Sequence, residues 1–198
     1  VKAPVIVSCT GANIASLQYA LERLGCQPRQ SAGAAEIRDA THVILPGVGA
    51  AQEAMSRLDA AGLSALIPTL TQPVLGICLG MQLLHEASEE QGVRCLGVLP
   101  GRARRFAPAV GRPVPHMGWN RLRAAREHAL LAGLRDGEFA YFVHSYALAP
   151  SAETVAVSDY GEEFSAVVSC RNFHGAQFHP ERSAAAGARF LANFLALS

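Results

Sequence analysis

Short runs of apolar residues alternate with helical patterns through the first half of the chain. Residues 5–9 read as a strand before a helix over 14–24, residues 42–45 as a strand before a helix over 52–58, and residues 74–78 as a strand before a helix over 81–86. A repeat of strand then helix predicts an α/β fold with a parallel sheet. Between residues 98 and 168 the pattern changes to strand-like stretches at 114–116, 139–147, 154–157 and 166–169, punctuated by Gly and Pro, which predicts a partly antiparallel extension of that sheet. The chain closes on a helix over 184–197 whose Phe190, Leu191, Phe194 and Leu195 share one face and should pack on the sheet. No internal repeat, low-complexity run or linker interrupts this order, so residues 1–198 are expected to form a single domain.

Composition narrows the partners. With 198 residues, of which 50% are hydrophobic, the chain can build a full core without disulfides or metals. Acidic and basic residues nearly balance at a formal net charge of +1, which argues against holding nucleic acid or an anionic membrane by bulk charge and favours a small molecule or a protein. The cluster Arg102–Arg105 reads as a solvated loop face. Cys9, Cys26, Cys78, Cys95 and Cys170 are odd in number, scattered, and form no C-x-x-C pair, so reduced thiols, a cytoplasmic location and no metal or cofactor are expected. The first apolar run is too short for a signal peptide or a membrane span.

One cysteine stands apart. Gly76-Ile77-Cys78-Leu79-Gly80 follows an apolar strand and precedes a helix, a strand-turn-helix with glycine on both sides of a thiol. Such an elbow strains its central residue and exposes it at the C-terminal edge of the sheet, at a helix N-terminus whose partial positive charge favours thiolate. The other four cysteines lack flanking glycines and read as ordinary core or surface thiols. His179-Pro180-Glu181 supplies a base and its orienter: in an extended segment residues two apart share a side, so the Glu181 carboxylate can hold the His179 imidazole and set its tautomer. The order Cys, His, acid, with the acid so close after the histidine, departs from that of α/β-hydrolases. Pro46-Gly47-Val48-Gly49 is a glycine-rich turn whose backbone N–H groups, at Val48, could join that of Leu79 in an oxyanion hole. Gln82, one helical turn past Cys78, points back toward the elbow, where its amide could bond a polar substrate end or else face solvent.

In this order across most of the chain, these pieces resemble the class I (triad) glutamine amidotransferases, with a flavodoxin-like sheet carrying helices on both faces. Gly11-Ala12-Asn13-Ile14, His116-Met117-Gly118-Trp119-Asn120, Tyr141-Phe142-Val143-His144-Ser145-Tyr146 and His179-Pro180-Glu181-Arg182-Ser183 are similar to the glutaminase subunit of imidazole glycerol phosphate synthase. The resemblance implies that Cys78 attacks the side-chain amide of L-glutamine, that His179 protonates the departing ammonia, and that water hydrolyses the glutamyl thioester. It places Gly47, Gln82, Glu90, Ser145 and Tyr146 around glutamine, and Asn13, Trp119 and Arg182 against a separate (β/α)8-barrel cyclase. There ammonia is used to make imidazole glycerol phosphate and aminoimidazole carboxamide ribonucleotide (AICAR) in histidine biosynthesis.

The chain departs from the family in reading Ser8-Cys9-Thr10-Gly11 where an Asp-Tyr-Gly-like start is frequent, and in carrying Arg182 where lysine is common. It also has Val48 where many sister amidotransferases have glycine, which predicts that the oxyanion hole forms only in complex, because a β-branched residue resists a positive φ. Three other readings compete. An amidotransferase subunit for anthranilate or aminodeoxychorismate synthesis shares the triad, and His116 to Asn120 weigh against it. A non-catalytic docking module conflicts with the intact triad, and a thiol hydrolase or redox protein with the position of Glu181.

Overall fold

Three strands of the chain are apolar or small at every position, as strands buried on both faces must be: β1 (Val5–Val7), β3 (Val43–Gly47) and β4 (Val74–Cys78). The computed structural model of the protein describes residues 3–10 and 14–198. Between these strands run α1 (Ile14–Arg23), β2 (Arg29–Ser31), α2 (Ala34–Arg38), α3 (Ala51–Ala60) and α4 (Leu63–Leu66), and β4 leads directly into α5 (Leu79–Leu83). The middle of the chain gives β5 (Ala87–Ser88), β6 (Arg102–Arg105), β7 (His116–Arg121), β8 (Arg123–Ala124), β9 (Phe139–His144) and β10 (Tyr146–Ala147). The last part gives β11 (Thr154–Asp159), β12 (Glu163–Cys170), β13 (Phe173–Ala176) and α6 (Ala184–Ala196).

An eight-stranded sheet, in the order β2-β1-β3-β4-β13-β12-β11-β8, forms the frame. The neighbours from β2 to β13 pair parallel, and β12, β11 and β8 add antiparallel edges. Alternation along each strand divides the core in two. Ile6, Ile44, Leu75 and Ile77 pack with Leu17 and Leu21 of α1 and Phe190, Leu191 and Phe194 of α6. Val5, Val7, Val43, Leu45 and Val74 pack with Ile37, Leu58 and Leu63 on the other face. Each such side chain, fully buried, contributes roughly 1.5–3 kcal/mol. Two smaller sheets, β10-β6-β5 and the ribbon β7-β9, sit beside the frame. Among the described residues no helix is long and apolar enough to cross a membrane.

Several expectations are corrected. β1 stops at Val7 rather than residue 9, and Thr10 turns inward so that its hydroxyl donates to the Pro46 carbonyl at 2.6 Å. The stretch 139–147 is not one strand: it breaks at Ser145, and its two halves join different sheets. β7 begins at His116 and runs on to Arg121, where 114–116 was expected. Arg102–Arg105 is a strand rather than a loop, although its arginines are solvated around the buried Ala103. β2, β13 and the two-residue strands β5 and β8 escaped the pattern. β2 is a polar edge, Arg29-Gln30-Ser31, whose hydrophilicity suits a sheet margin, and β13 hides a central strand behind His174 and Gly175. Gly175 is required there, since a Cβ would stand 2.5 Å from Met81 Cγ.

Candidate active site

Cys78 closes β4 with φ 53° and ψ −113°, a conformation that costs about 1–3 kcal/mol and persists only where packing enforces it. The packing is backbone on backbone. A Cβ on Gly80 would lie 1.8 Å from the Leu45 carbonyl oxygen, and one on Gly76 would lie 2.6 Å from the Gly80 carbonyl group and the Met81 nitrogen. Gly47 belongs to the same seam, its missing Cβ falling 2.9 Å from the Gly80 nitrogen and from Leu79 Cβ. The flanking glycines therefore let β3, β4 and α5 touch, while the positive φ falls on Cys78 itself. With only five residues, α5 brings little macrodipole to the sulfur.

His179 follows β13, the neighbour of β4, so the register that pairs Ala176 with Ile77 brings the imidazole beside the thiol. Its backbone N–H donates to Tyr141 at 2.9 Å, and its carbonyl accepts from the Ser183 hydroxyl at 2.7 Å. Pro180–Arg182 is a 3-10 turn, not the extended segment expected, and the turn swings Glu181 back so that His179 Nδ1 donates to its Oε1 at 2.8 Å. His179 Nε2 and Glu181 Oε2 are buried without a hydrogen-bond partner. Burial disfavours a charged imidazole here, yet Cys78 and Glu181 outweigh it and push the His179 pKa up to about 10. An imidazolium at neutral pH facing a thiol is the arrangement that supports an ion pair with thiolate.

These groups open onto a cavity of about 320 Å³, lined by Cys78, Leu79, Val48, Gln82, Glu90 and the Ser145-Tyr146 corner among others. That volume suits a small metabolite. A second cavity of about 320 Å³, lined by Gly47, Glu181 and Arg182, meets the first at Val48, Val143 and His179.

The glutamine amidotransferase class-I family model matches residues 5–197. The chain belongs to the class I glutamine amidotransferases. The protein named imidazole glycerol phosphate synthase subunit HisH of Xanthomonas oryzae pv. oryzae (strain MAFF 311018) is 57% identical over 193 residues, 98% of this chain and 96% of that protein. Its namesake in Xylella fastidiosa (strain Temecula1) is 54% identical over 190 residues, 96% of this chain and 95% of that one. Among solved structures, a glutamine amidotransferase superposes with a TM-score of 0.75 at 18% identity, covering 96% of each chain. PurLQS from Thermotoga maritima gives 0.74 at 20% identity over 98% of this chain and 97% of its own, so these two share the fold.

Within this amidotransferase, Val48, Leu79, Gln82, Glu90, Ser145 and Tyr146 all line the Cys78 cavity. Gly47 instead lines the second cavity, because its Cα is turned into the elbow seam. Glu90 Oε2 accepts the Ala51 N–H at 2.7 Å, so this carboxylate also caps α3. Trp119 is 51% exposed and meets the Tyr141 ring edge-on at 6.0 Å, and the Arg182 guanidinium lies over the same Tyr141 ring, 4.8 Å from its centroid. Asn13 lies outside the described residues. Of the other thiols, buried Cys95 has its pKa pushed up to about 11 by desolvation, as an inert core cysteine should. Gln177 was overlooked in the sequence. It is fully buried, and its Nε2 stands 3.8 Å from Cys78 Sγ. Its place two residues before His179 was the available signal.

Proposed function

We propose that this chain is the glutamine-hydrolysing subunit of an imidazole glycerol phosphate synthase, acting in histidine biosynthesis beside a cyclase partner. The observation that carries the reading is that Cys78 and His179 line one cavity while Glu181, behind the ring, holds His179 Nδ1 at 2.8 Å. In the first half-reaction the Cys78 thiolate attacks the glutamine side-chain carbon, and the oxygen takes up the charge near the Val48 and Leu79 N–H groups. Collapse expels ammonia as His179 gives up its proton, leaving the glutamyl thioester. Water then attacks the thioester with His179 as base, and glutamate leaves as the imidazolium and thiolate return. Glu181 holds Nδ1 protonated throughout. Gln82, Glu90 and the Ser145-Tyr146 corner receive the amino-acid end of glutamine.

The partner reading rests on the ribbon. Met117, Trp119 and Phe139 leave an exposed apolar face on β7-β9, and the second cavity opens beside it under Arg182. A (β/α)8-barrel cyclase docked there receives ammonia past Val48 and Val143. Val48 also governs activity: the positive φ in the turn falls on Gly49, at 89°, and valine resists the peptide rearrangement that would complete the oxyanion hole. The isolated chain therefore turns over little glutamine, and the cyclase with bound nucleotide shifts the population toward the active form. The test is glutamate release by wild type and Cys78→Ala, alone and with the cyclase and its nucleotide substrate. Release that needs Cys78 and rises steeply with the partner is the expected result; no release under any condition sinks the reading.

A further inference from the structure

His116 and His144 face each other across the β7-β9 ribbon, buried among Phe106, Phe142, Tyr160 and Phe164. His144 Nδ1 lies 2.8 Å from the Tyr146 carbonyl oxygen, which can only accept, so the proton sits on Nδ1 and the neutral ring offers Nε2 as an acceptor. His116 Nδ1 stands 3.0 Å from that Nε2 and must donate, which leaves His116 Nε2 to accept from the Asn120 amide at 3.3 Å. Burial holds His144 down to about 3 and His116 to about 4, so both rings are neutral across the physiological range. Every bond in this chain runs one way, from Asn120 through His116 and His144 to the Tyr146 carbonyl.

That carbonyl belongs to the corner where the polypeptide leaves β9 for β10, and the corner is a wall of the Cys78 cavity. The same oxygen accepts from Gln82 Nε2 at 2.8 Å, and Gln82 Nε2 also donates to Gln177 Oε1 at 2.9 Å. With its nitrogen held by the protein, Gln82 has its carbonyl oxygen left for a ligand's N–H.

We propose that His116 and His144 are positioning residues for glutamine binding. Their one-way chain pins the Ser145-Tyr146 corner and, through the Tyr146 carbonyl, the pose in which Gln82 meets substrate. The inference rests on the proposed glutamine site. His144 borders the Cys78 cavity, but both ring nitrogens of each histidine are engaged by protein groups, so the hydrogen-bonding influence of the pair on substrate runs through Tyr146 and Gln82.

The experiment uses the double variant His116→Phe/His144→Phe in the full chain. Phenylalanine keeps the ring in an aromatic shell, and removing both partners of a buried hydrogen bond leaves stability nearly unchanged. Tyr146 keeps the Gln82 donor, and Asn120 keeps its 2.7 Å bond to the Asp159 carbonyl. Glutamine protection of Cys78 against iodoacetamide, followed on the Cys78 peptide by mass spectrometry, reads affinity without any turnover. The glutamine concentration for half-protection rises about tenfold in the double variant, the loss of one well-placed hydrogen bond. Meanwhile Tm and the unprotected alkylation rate stay at wild-type values. His116→Phe alone, which keeps His144 on Tyr146 but frees its ring to turn, raises that concentration about threefold. Unchanged half-protection in both variants overturns the proposal, as does a fall in Tm that tracks the loss of affinity, or an unfolded double variant with unchanged protection in His116→Phe. If glutamine fails to protect wild-type Cys78 at all, the glutamine-site reading falls and takes this one with it.

Discussion

One wall of the Cys78 cavity is made by the ends of β3, β4 and β13, where backbone presses on backbone and glycines remove every Cβ that would intrude. The opposite wall is the corner between β9 and β10, where the chain changes sheets and its backbone is held by side chains, by the Phe106 N–H to the Ser145 carbonyl at 3.0 Å and by the two-residue pairing of β10 with β6. The first wall places the proposed nucleophile and its base to within the tolerance of a close-packed core. The second is adjustable, because hydrogen bonds between side chains can be remade where packed backbone cannot. The proposed chemistry sits on the rigid wall, and the proposed substrate contacts are shared between Gln82 of α5, Glu90 and the Ser145-Tyr146 corner.

Breaking the rigid wall gives the largest effect. Gly80→Ala sets a Cβ 1.8 Å from the Leu45 carbonyl, and β3 and the elbow must part to admit it. A loss of about 3 kcal/mol or more in unfolding free energy is expected, with glutamine hydrolysis abolished. Thermal and denaturant melts beside a glutamate-release assay check both; an active variant of wild-type stability would show that β3 and the elbow can part without cost.

The same contrast explains what could be read in the sequence. Gly76, Cys78 and Gly80 are close neighbours in the chain, as are His179 and Glu181, so local spacing reveals them. Even there the reason for Gly80 was hidden, since the atom it avoids is in β3. The corner carries no such signature. Residues 139–147 alternate without a Gly or Pro to mark the break at Ser145, and His116 and His144 meet only through the register of β7 with β9. β13 went unread because His174 and Gly175 interrupt its apolar pattern, though it is the strand that delivers His179.

Glu181→Gln tests the charge on the rigid wall while sparing its shape. The amide can still face Nδ1, but the imidazolium loses its counter-ion, and turnover in the complex should fall about a hundredfold. The sign of the pH effect follows from the raised pKa. His179 at about 10 in the folded chain, against 6.5 in a free histidine, contributes stability that is fully present below pH 6.5 and lost as pH rises toward 10. In the variant the folded value drops, so the alkaline limb of kcat moves to lower pH and Tm declines less between pH 6.5 and 10. An alkaline limb that stays in place would remove Glu181 from the control of His179.

Val48 stands at the seam of the two cavities, and Val48→Gly relaxes it. Without a β-branched side chain the turn can adopt the rearranged peptide unaided, and glutamate release by the isolated chain should rise about tenfold. The rise should shrink once the cyclase and its nucleotide are present, because the partner already supplies what the glycine does. Equal stimulation with and without partner would mean that Val48 obstructs access and does not gate the oxyanion site.

The smallest effect on the isolated chain belongs to Trp119→Ala. The indole is half exposed on the outer face of the ribbon, and its ring contact with Tyr141 is worth about 1 kcal/mol or less. Tm should barely move, and half-protection by glutamine should be unaltered, since the His116 and His144 rings lie on the buried face of the same strands. Affinity for the cyclase, measured by titration calorimetry, should nevertheless weaken by more than tenfold, as expected when a large aromatic anchor is removed from an interface. The ribbon thus presents an exposed aromatic on one side and a buried polar chain on the other. A Trp119→Ala variant that bound the cyclase normally but lost glutamine affinity would mean the two faces are not separable, and that the corner draws its order from the ribbon's outer surface as well as from the histidines beneath it.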